Sequence, residues 1–177
     1  MELGLTKNEV RLTPYDPSWE KTFLNTKKQI IDCTALKPEQ IQHIGSTSIV
    51  GMPAKPIIDI MVGIDSLKQI DAELFTQLKE ADFLRLKVEK PDEIVLARFT
   101  DKSYAVKTHF IHLVEKDSTK WNDLLFFREY LNQNSQAKKA YKELKQELAA
   151  QPGTEIQSYT DQKWVFVRNI LNQNKNN

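Results

Sequence analysis

A single cysteine, Cys33, leaves this 177-residue chain without an internal disulfide and without a cysteine-rich metal knuckle. Long apolar runs are missing too. None approaches the roughly 18 residues of a membrane span, and the best candidate, Ile57–Ile64, is interrupted by Asp59. The opening MELGLTKNEV has no apolar core of the kind that marks a signal peptide. Charge of one sign is not in surplus: 25 Lys and Arg face 24 Asp and Glu, for a net charge of +1. No strong field therefore draws the chain to nucleic acid or anionic lipid. These absences lead us to expect a cytoplasmic protein in a reducing setting. Its expected partner is a small molecule, not a membrane or a nucleic acid, and the sequence carries no signal for an oligomeric state.

What is present reads as one α+β domain over 1–177, with a mixed sheet first and a helical C-terminal third after it. Asp16 followed by Pro17 suits a helix start, and Trp19, Phe23, Ile30 and Cys33 recur at near-helical spacing. Pro38 ends that helix. IQHI (Ile41–Ile44) then reads as a strand, and IIDIMVGI (Ile57–Ile64) as a second one with both faces buried, since its apolar run does not alternate. Asp65 and Ser66 can cap a helix carrying Leu67, Ile70, Leu74 and Leu78. Strands are expected over Phe83–Val88, Glu93–Phe99 and Val106–Glu115, the last two joined as a hairpin through Asp101–Ser103. Three helices follow: one through WNDLLFFREYL, one with Ala137, Ala140, Tyr141, Leu144 and Leu148 on a stripe, and one near Ser158–Leu171. Residues 172–177, NQNKNN, are expected to fray.

The stretch IGSTSIVGMPAKPIIDI, from Ile44 to Ile60, looks like a phosphate loop. It is not a Walker A loop, because Lys55 does not follow Gly51 directly and Pro56 leads into a strand. Nor is it the G-x-G-x-x-G of a dinucleotide fold. The layout is strand, Gly-Ser turn, loop, and a strand bearing a carboxylate. Backbone N–H groups after Gly45-Ser46 can face an anion, the hydroxyls of Ser46, Thr47 and Ser48 add donors, and Asp59 can hold Mg²⁺ against the same phosphates. An ionised carboxylate amid isoleucines is costly unless paired or metal-bound, which favours a functional Asp59. A salt bridge to Lys55 or to a histidine is the structural alternative.

HIGSTSIVGMPAKPIIDI resembles the signature of the GrpB family, written His-Ile-Gly-Ser-Thr-[Ser/Ala]-x-x-Gly-Leu-x-Ala-Lys-Pro-x-Ile-Asp-Ile. THFIHLVE, WNDLLFFREYL, YKELKQELA and YTDQKWVFV follow in the family's order, so the resemblance covers roughly residues 14–170. It implies a nucleotidyltransferase-like fold: a mixed β-sheet with flanking helices. Active nucleotidyltransferases carry two carboxylates on one strand face, gripping two metals. Here Met61 stands in the second position, and a thioether does not bind Mg²⁺. That departure argues against the standard two-metal grip and leaves one metal or a divergent ligand set. Glu115 and Glu93 are candidates for a further carboxylate.

Of the three histidines, His112 matches a position where the family carries histidine, and it is the candidate base or ligand. Strand alternation puts His109 on the opposite face. His43 is either a site residue or a hydrogen-bonded core histidine. Lys55, within the family's Ala-Lys-Pro, is a candidate phosphate contact. Arg128, and Arg98 likewise, need an anionic partner in their apolar surroundings, supplied by protein or substrate. Tyr130, Tyr141, Tyr159 and Lys163 match family positions, with packing the stronger role for the tyrosines. Lys138 and Lys142 read as a solvated helix face.

The expectation is a protein that binds a nucleotide or other phosphate ester with Mg²⁺ and supports nucleotidyl or phosphoryl transfer. Asp59 and His112 would be catalytic and Asp59 and Glu115 metal-binding, while Gly45, Ser46, Thr47, Ser48, Lys55, His43 and Arg128 would hold the ligand. The rival is a non-catalytic anion-binding accessory module with a degenerate metal site, which Met61 favours. A third option is a protein-interaction role for the helical third, which requires a large exposed apolar patch there.

Overall fold

The computed structural model describes residues 3–88, 90–151 and 156–175. A short strand β1 (Leu5–Thr6) precedes helix α1 (Ser18–Cys33). The α1 start is one residue later than expected: Pro17 takes the cap position, and Asp16 Oδ1 accepts from the Ser18 N–H at 2.8 Å just before the helix. Strands β2 (Ile41–Ile44) and β3 (Ile58–Ile64) come next, then α2 (Ala72–Glu80). Asp71, not Asp65 or Ser66, caps α2 by accepting from Glu73 N–H at 2.9 Å. Ser66 instead caps a separate 3₁₀ turn over Leu67–Gln69. Strands β4 (Leu84–Arg85), β5 (Ile94–Phe99) and β6 (Val106–Glu115) complete the sheet. Of the expected strand over Phe83–Val88, only two residues pair.

The sheet order is β2-β3-β6-β5-β4, with β1 pairing the start of β6. β3 and β6 run parallel, whereas β5–β6 is the expected antiparallel hairpin, with a register shift at Arg98/Phe99. This mixed sheet packs α1 and α2 on one face, over Ile41, Ile58, Ile60, Val62, Leu96, Ile111 and Leu113. α3 (Thr119–Gln133) covers the other face, where Ile44, Met61, Val114 and Trp121 form a second small core. β3 is thus buried on both sides, and Asp59 is its one partly open residue.

The helical third continues with α4 (Ser135–Ala150) and α5 (Ile156–Lys175). α5 extends past Leu171 to Lys175, so the expected fraying over 172–175 is replaced by helix, and 176–177 lie outside the described residues. A third core joins these helices to the loop after β2: Ile49, Met52, Leu131 and Tyr141, with Leu144 and Phe166 against them. The loop between β2 and β3 is therefore clamped between the sheet and the helical third. Among the described residues no helix is long and apolar enough to cross a membrane.

Candidate functional site

β3 and the loop before it bring the Gly45 turn onto the Asp59 carboxylate. Gly45 has φ 70° and ψ −173°, and a Cβ there would lie 2.4 Å from Asp59 Oδ2. Only glycine fits both the backbone angle and the approach. Behind the turn the hydroxyls are already engaged. Ser48 Oγ donates to the Gly45 carbonyl at 2.7 Å, and Thr47 Oγ1 meets His43 Nε2 at 3.0 Å. Ser46 interacts with the Tyr141 hydroxyl, which burial pushes up to about 12. Thr47 and Ser48 thus brace the turn through their side chains, and the Ser48 N–H also donates to the Gly45 carbonyl at 3.2 Å.

His43 lies in that brace. Its ring stacks on Phe23 with centroids 4.6 Å apart, and Nδ1 approaches Glu20 Oε2 at 3.3 Å. Burial lowers its pKa, partly countered by Glu20. It faces α1, across the sheet from Asp59, and acts as a hydrogen-bonded core histidine.

His112 lies between two carboxylates. Its Nε2 is 3.7 Å from Asp59 Oδ1 and its Nδ1 is 3.0 Å from Glu93 Oε2. Burial alone would depress the imidazole, but the two carboxylates outweigh it and raise the pKa to about 9. The two flanking carboxylates thus favour the imidazolium form of His112 over the neutral ring that a general base needs. Burial would raise Glu93, but His112, Lys90 and Lys120 together hold it well below the usual carboxylate range.

Glu115 is not brought to Asp59. The parallel register pairs Asp59 with Phe110 and Ile64 with Glu115, a separation of about 16 Å along the strands. Its Oε1 accepts the Leu67 N–H at 3.0 Å. Glu93 comes nearer, but the His112 ring separates it from Asp59. Met61 is fully buried in the apolar core under α3, which explains the missing second carboxylate: at that position an acid would be desolvated beside Trp121 and Val114. Among the described residues no group of three ligating side chains could hold a metal. Asp59, about one-third exposed, is left on this strand as the carboxylate that could hold a metal.

Arg128 finds its partners within the protein. It donates to the His43 carbonyl at 2.8 Å and to Glu129 Oε1 at 2.6 Å, fastening α3 to β2. Arg98 likewise donates to the Ala81 carbonyl and to Gln29.

Lys55, the phosphate contact expected from sequence, is joined on the far side of the turn by Lys163 and by Lys145, and it is Lys145 and this grouping that sequence reasoning missed. Lys55 Nζ lies 4.6 Å and Lys163 Nζ 4.7 Å from the centroid of one ring, Tyr159. Lys145, 1% exposed, donates to the Pro53 carbonyl and sits 5.1 Å from the Tyr141 ring. Among the described residues none of the three has a carboxylate within ion-pairing distance, and Asp59 is the acidic charge felt by both Lys55 and Lys163. Burial, then the charge of Lys163, brings Lys55 down to about 8 and Lys145 to about 6. A signal was available: Lys145 and Lys163 fall on the same helical stripes as Tyr141, Leu148, Tyr159 and Phe166. A cation on a buried stripe needs a reason.

A cleft of about 670 Å³ adjoins the turn at Gly45 and runs between α3 and α5, past Phe127, Arg128, Trp164 and Leu171.

The GrpB protein family model matches residues 9–173. The chain belongs to the GrpB family. The Glutamate-rich protein GrpB of Alkalihalophilus pseudofirmus is 40% identical over 97% of this chain and 99% of its own length. The crystal structure of GrpB from Enterococcus faecalis, 28% identical, superposes with a TM-score of 0.76 over 92% of this chain and 96% of that one. The Cid1 poly(U) polymerase, solved with MgGTP, superposes at TM-score 0.53 with 12% identity, over 78% of this chain and 44% of that one. The likeness to Cid1 concerns the fold alone. In this GrpB-family chain, then, a nucleotidyltransferase-like sheet carries one strand aspartate, with lysines from the helical third facing the same turn.

Proposed function

We propose that this GrpB-family chain binds a nucleotide or related phosphate ester between the Gly45 turn and the lysines of the helical third, with Mg²⁺ accompanying the phosphates at Asp59. One observation carries the reading: Lys55, Lys145 and Lys163 converge, half-buried or buried, with no carboxylate in ion-pairing range among the described residues. Burial and mutual proximity disfavour the charged forms of these amines, and a bound polyanion would favour them again. The fold shared with Cid1, whose structure contains MgGTP, lends support.

In this reading Lys55 and Lys163 neutralise phosphate oxygens, and Tyr159 orients both ammonium groups. The Gly45 backbone approaches the ligand without a side chain in the way. Asp59 would hold the metal, which supplies charge withdrawal from the phosphates. His112, hydrogen-bonded to Glu93 on one side and facing Asp59 on the other, orients the Asp59 carboxylate. Transfer of a phosphoryl or nucleotidyl group needs chiefly this positioning and neutralisation.

The buried Met61 favours a second reading, in which the same pocket binds without turnover. One experiment addresses both. Melting temperature is measured with each nucleoside triphosphate and with inorganic tripolyphosphate, with and without Mg²⁺, for wild type, Asp59→Ala and Lys163→Ala. Ligand at 100 times Kd adds about 2.7 kcal/mol, a shift of roughly 5–10 °C for a chain this size. Stabilisation lost in Lys163→Ala and Mg²⁺-dependent through Asp59 supports the site. No stabilisation by any polyphosphate overturns it. Conversion of the bound nucleotide then separates enzyme from module.

A further inference from the structure

The lysines account for phosphates but leave the neighbouring cleft without an occupant. α5 presents two adjacent stripes. Tyr159, Lys163 and Phe166 face the turn and the third core, while Trp164, Val167 and Leu171 line the cleft. Lys163 and Trp164 are consecutive and about 100° apart around the helix. A ligand with its phosphates at the Gly45 turn, near Lys163, can therefore extend its other end along the cleft to Trp164. At about 670 Å³ the cleft has the volume of a small-molecule site, and most of its wall is apolar. Trp164 is 54% exposed on that wall, and among the described residues its indole stacks on no other ring. The cleft is continuous with the anion turn, since Gly45 lines both.

We infer that the cleft is the subsite for a planar heteroaromatic ring carried by the phosphate ester, with Trp164 as the face on which that ring stacks. The ligand class is then a nucleotide, not an aliphatic phosphate ester or an inorganic polyphosphate. A flat indole left open to water gains most from a flat π-surface, because base–aromatic stacking depends on the ring face and tolerates any base. This inference rests on the anion reading above, and its test keeps the two apart.

Trp19 and Trp121 are 1% and 4% exposed, so ligand quenching of tryptophan fluorescence reports mainly on Trp164. Quenching is followed in wild type, and affinities are measured by titration calorimetry of the full chain with ATP, GTP, CTP, UTP and inorganic tripolyphosphate, each with Mg²⁺, for wild type, Trp164→Ala and Trp164→Phe. At least one nucleotide is expected to quench and to bind about tenfold or more tightly than tripolyphosphate. Trp164→Ala removes that advantage while tripolyphosphate affinity stays unchanged, and Trp164→Phe retains most of it. The substituted side chain is exposed, and unchanged melting temperatures verify folding. Tripolyphosphate binding as tightly as every nucleotide, with Trp164→Ala altering neither, overturns the ring subsite and leaves the anion site standing. No binding of any of the five to wild type overturns both.

Discussion

Gly45→Ala perturbs the closest contact in the site. The residue sits at φ 70°, ψ −173°, a region open essentially to glycine alone, where a side chain costs about 1–3 kcal/mol. The new Cβ would also lie 2.4 Å from Asp59 Oδ2, 3.1 Å from its Cγ and 3.0 Å from its Cβ. Relieving that overlap moves either the turn or the carboxylate, so the total cost is about 2–5 kcal/mol. The melting temperature, followed by circular dichroism, should fall by roughly 5–15 °C. Gly51→Ala is the control: φ is 77°, with nothing within 4 Å of the added atom, so it measures strain without the clash. The decisive comparison repeats Gly45→Ala in an Asp59→Ala background, where the carboxylate is gone. If the clash is real, the cost falls there by about 1–3 kcal/mol. Equal costs in both backgrounds, no larger than for Gly51→Ala, would refute the claim that the turn is pressed onto Asp59.

Three further outcomes follow from the same geometry. Met61→Asp, which restores a second strand carboxylate on paper, should destabilise the fold by at least about 2–5 kcal/mol in urea unfolding, because it places an acid in the fully buried Trp121 core. Burial, then Arg98, depresses His109 to about 4, whereas the unfolded value is about 6.5. The unfolded chain takes up that proton first, so stability should fall as pH drops from about 6.5 to 4, by up to about 3 kcal/mol. His109→Gln should flatten that part of the profile, and an unchanged slope would count against a neutral buried His109. Lys145→Met should raise stability by about 1–3 kcal/mol in thermal melts, since an amine 1% exposed is replaced by a hydrophobe.

The sequence was most informative where the rules are local. A run of isoleucines broken by one aspartate is a buried strand with a polar intrusion, whatever the rest of the chain does. Alternation put His109 and His112 on opposite faces, and the pairing partners Arg98 and Val95 on β5 agree with that. The α2 cap was misassigned because Ser66 and Asp71 are both good caps, and only the intervening 3₁₀ turn assigns one to each. Glu115 looked like a companion for Asp59 because sequence gives a strand's residues but not its register. Once β3 and β6 pair in parallel, the two acids lie at opposite ends.

By itself, then, the sequence determined the sheet-then-helix order, the glycine-serine turn, the lone strand carboxylate and family membership, all of which depend on neighbours within a few residues or on an ordered set of motifs. The tertiary structure decided which charges meet. Lys55, Lys145 and Lys163 come from three elements and converge only when the helical third closes over the loop. The imidazolium form of His112 is favoured only because folding sets it between Asp59 and Glu93. Charge–charge interactions act through space and steepen as water is excluded, so their outcome depends on distances that the order of residues does not contain.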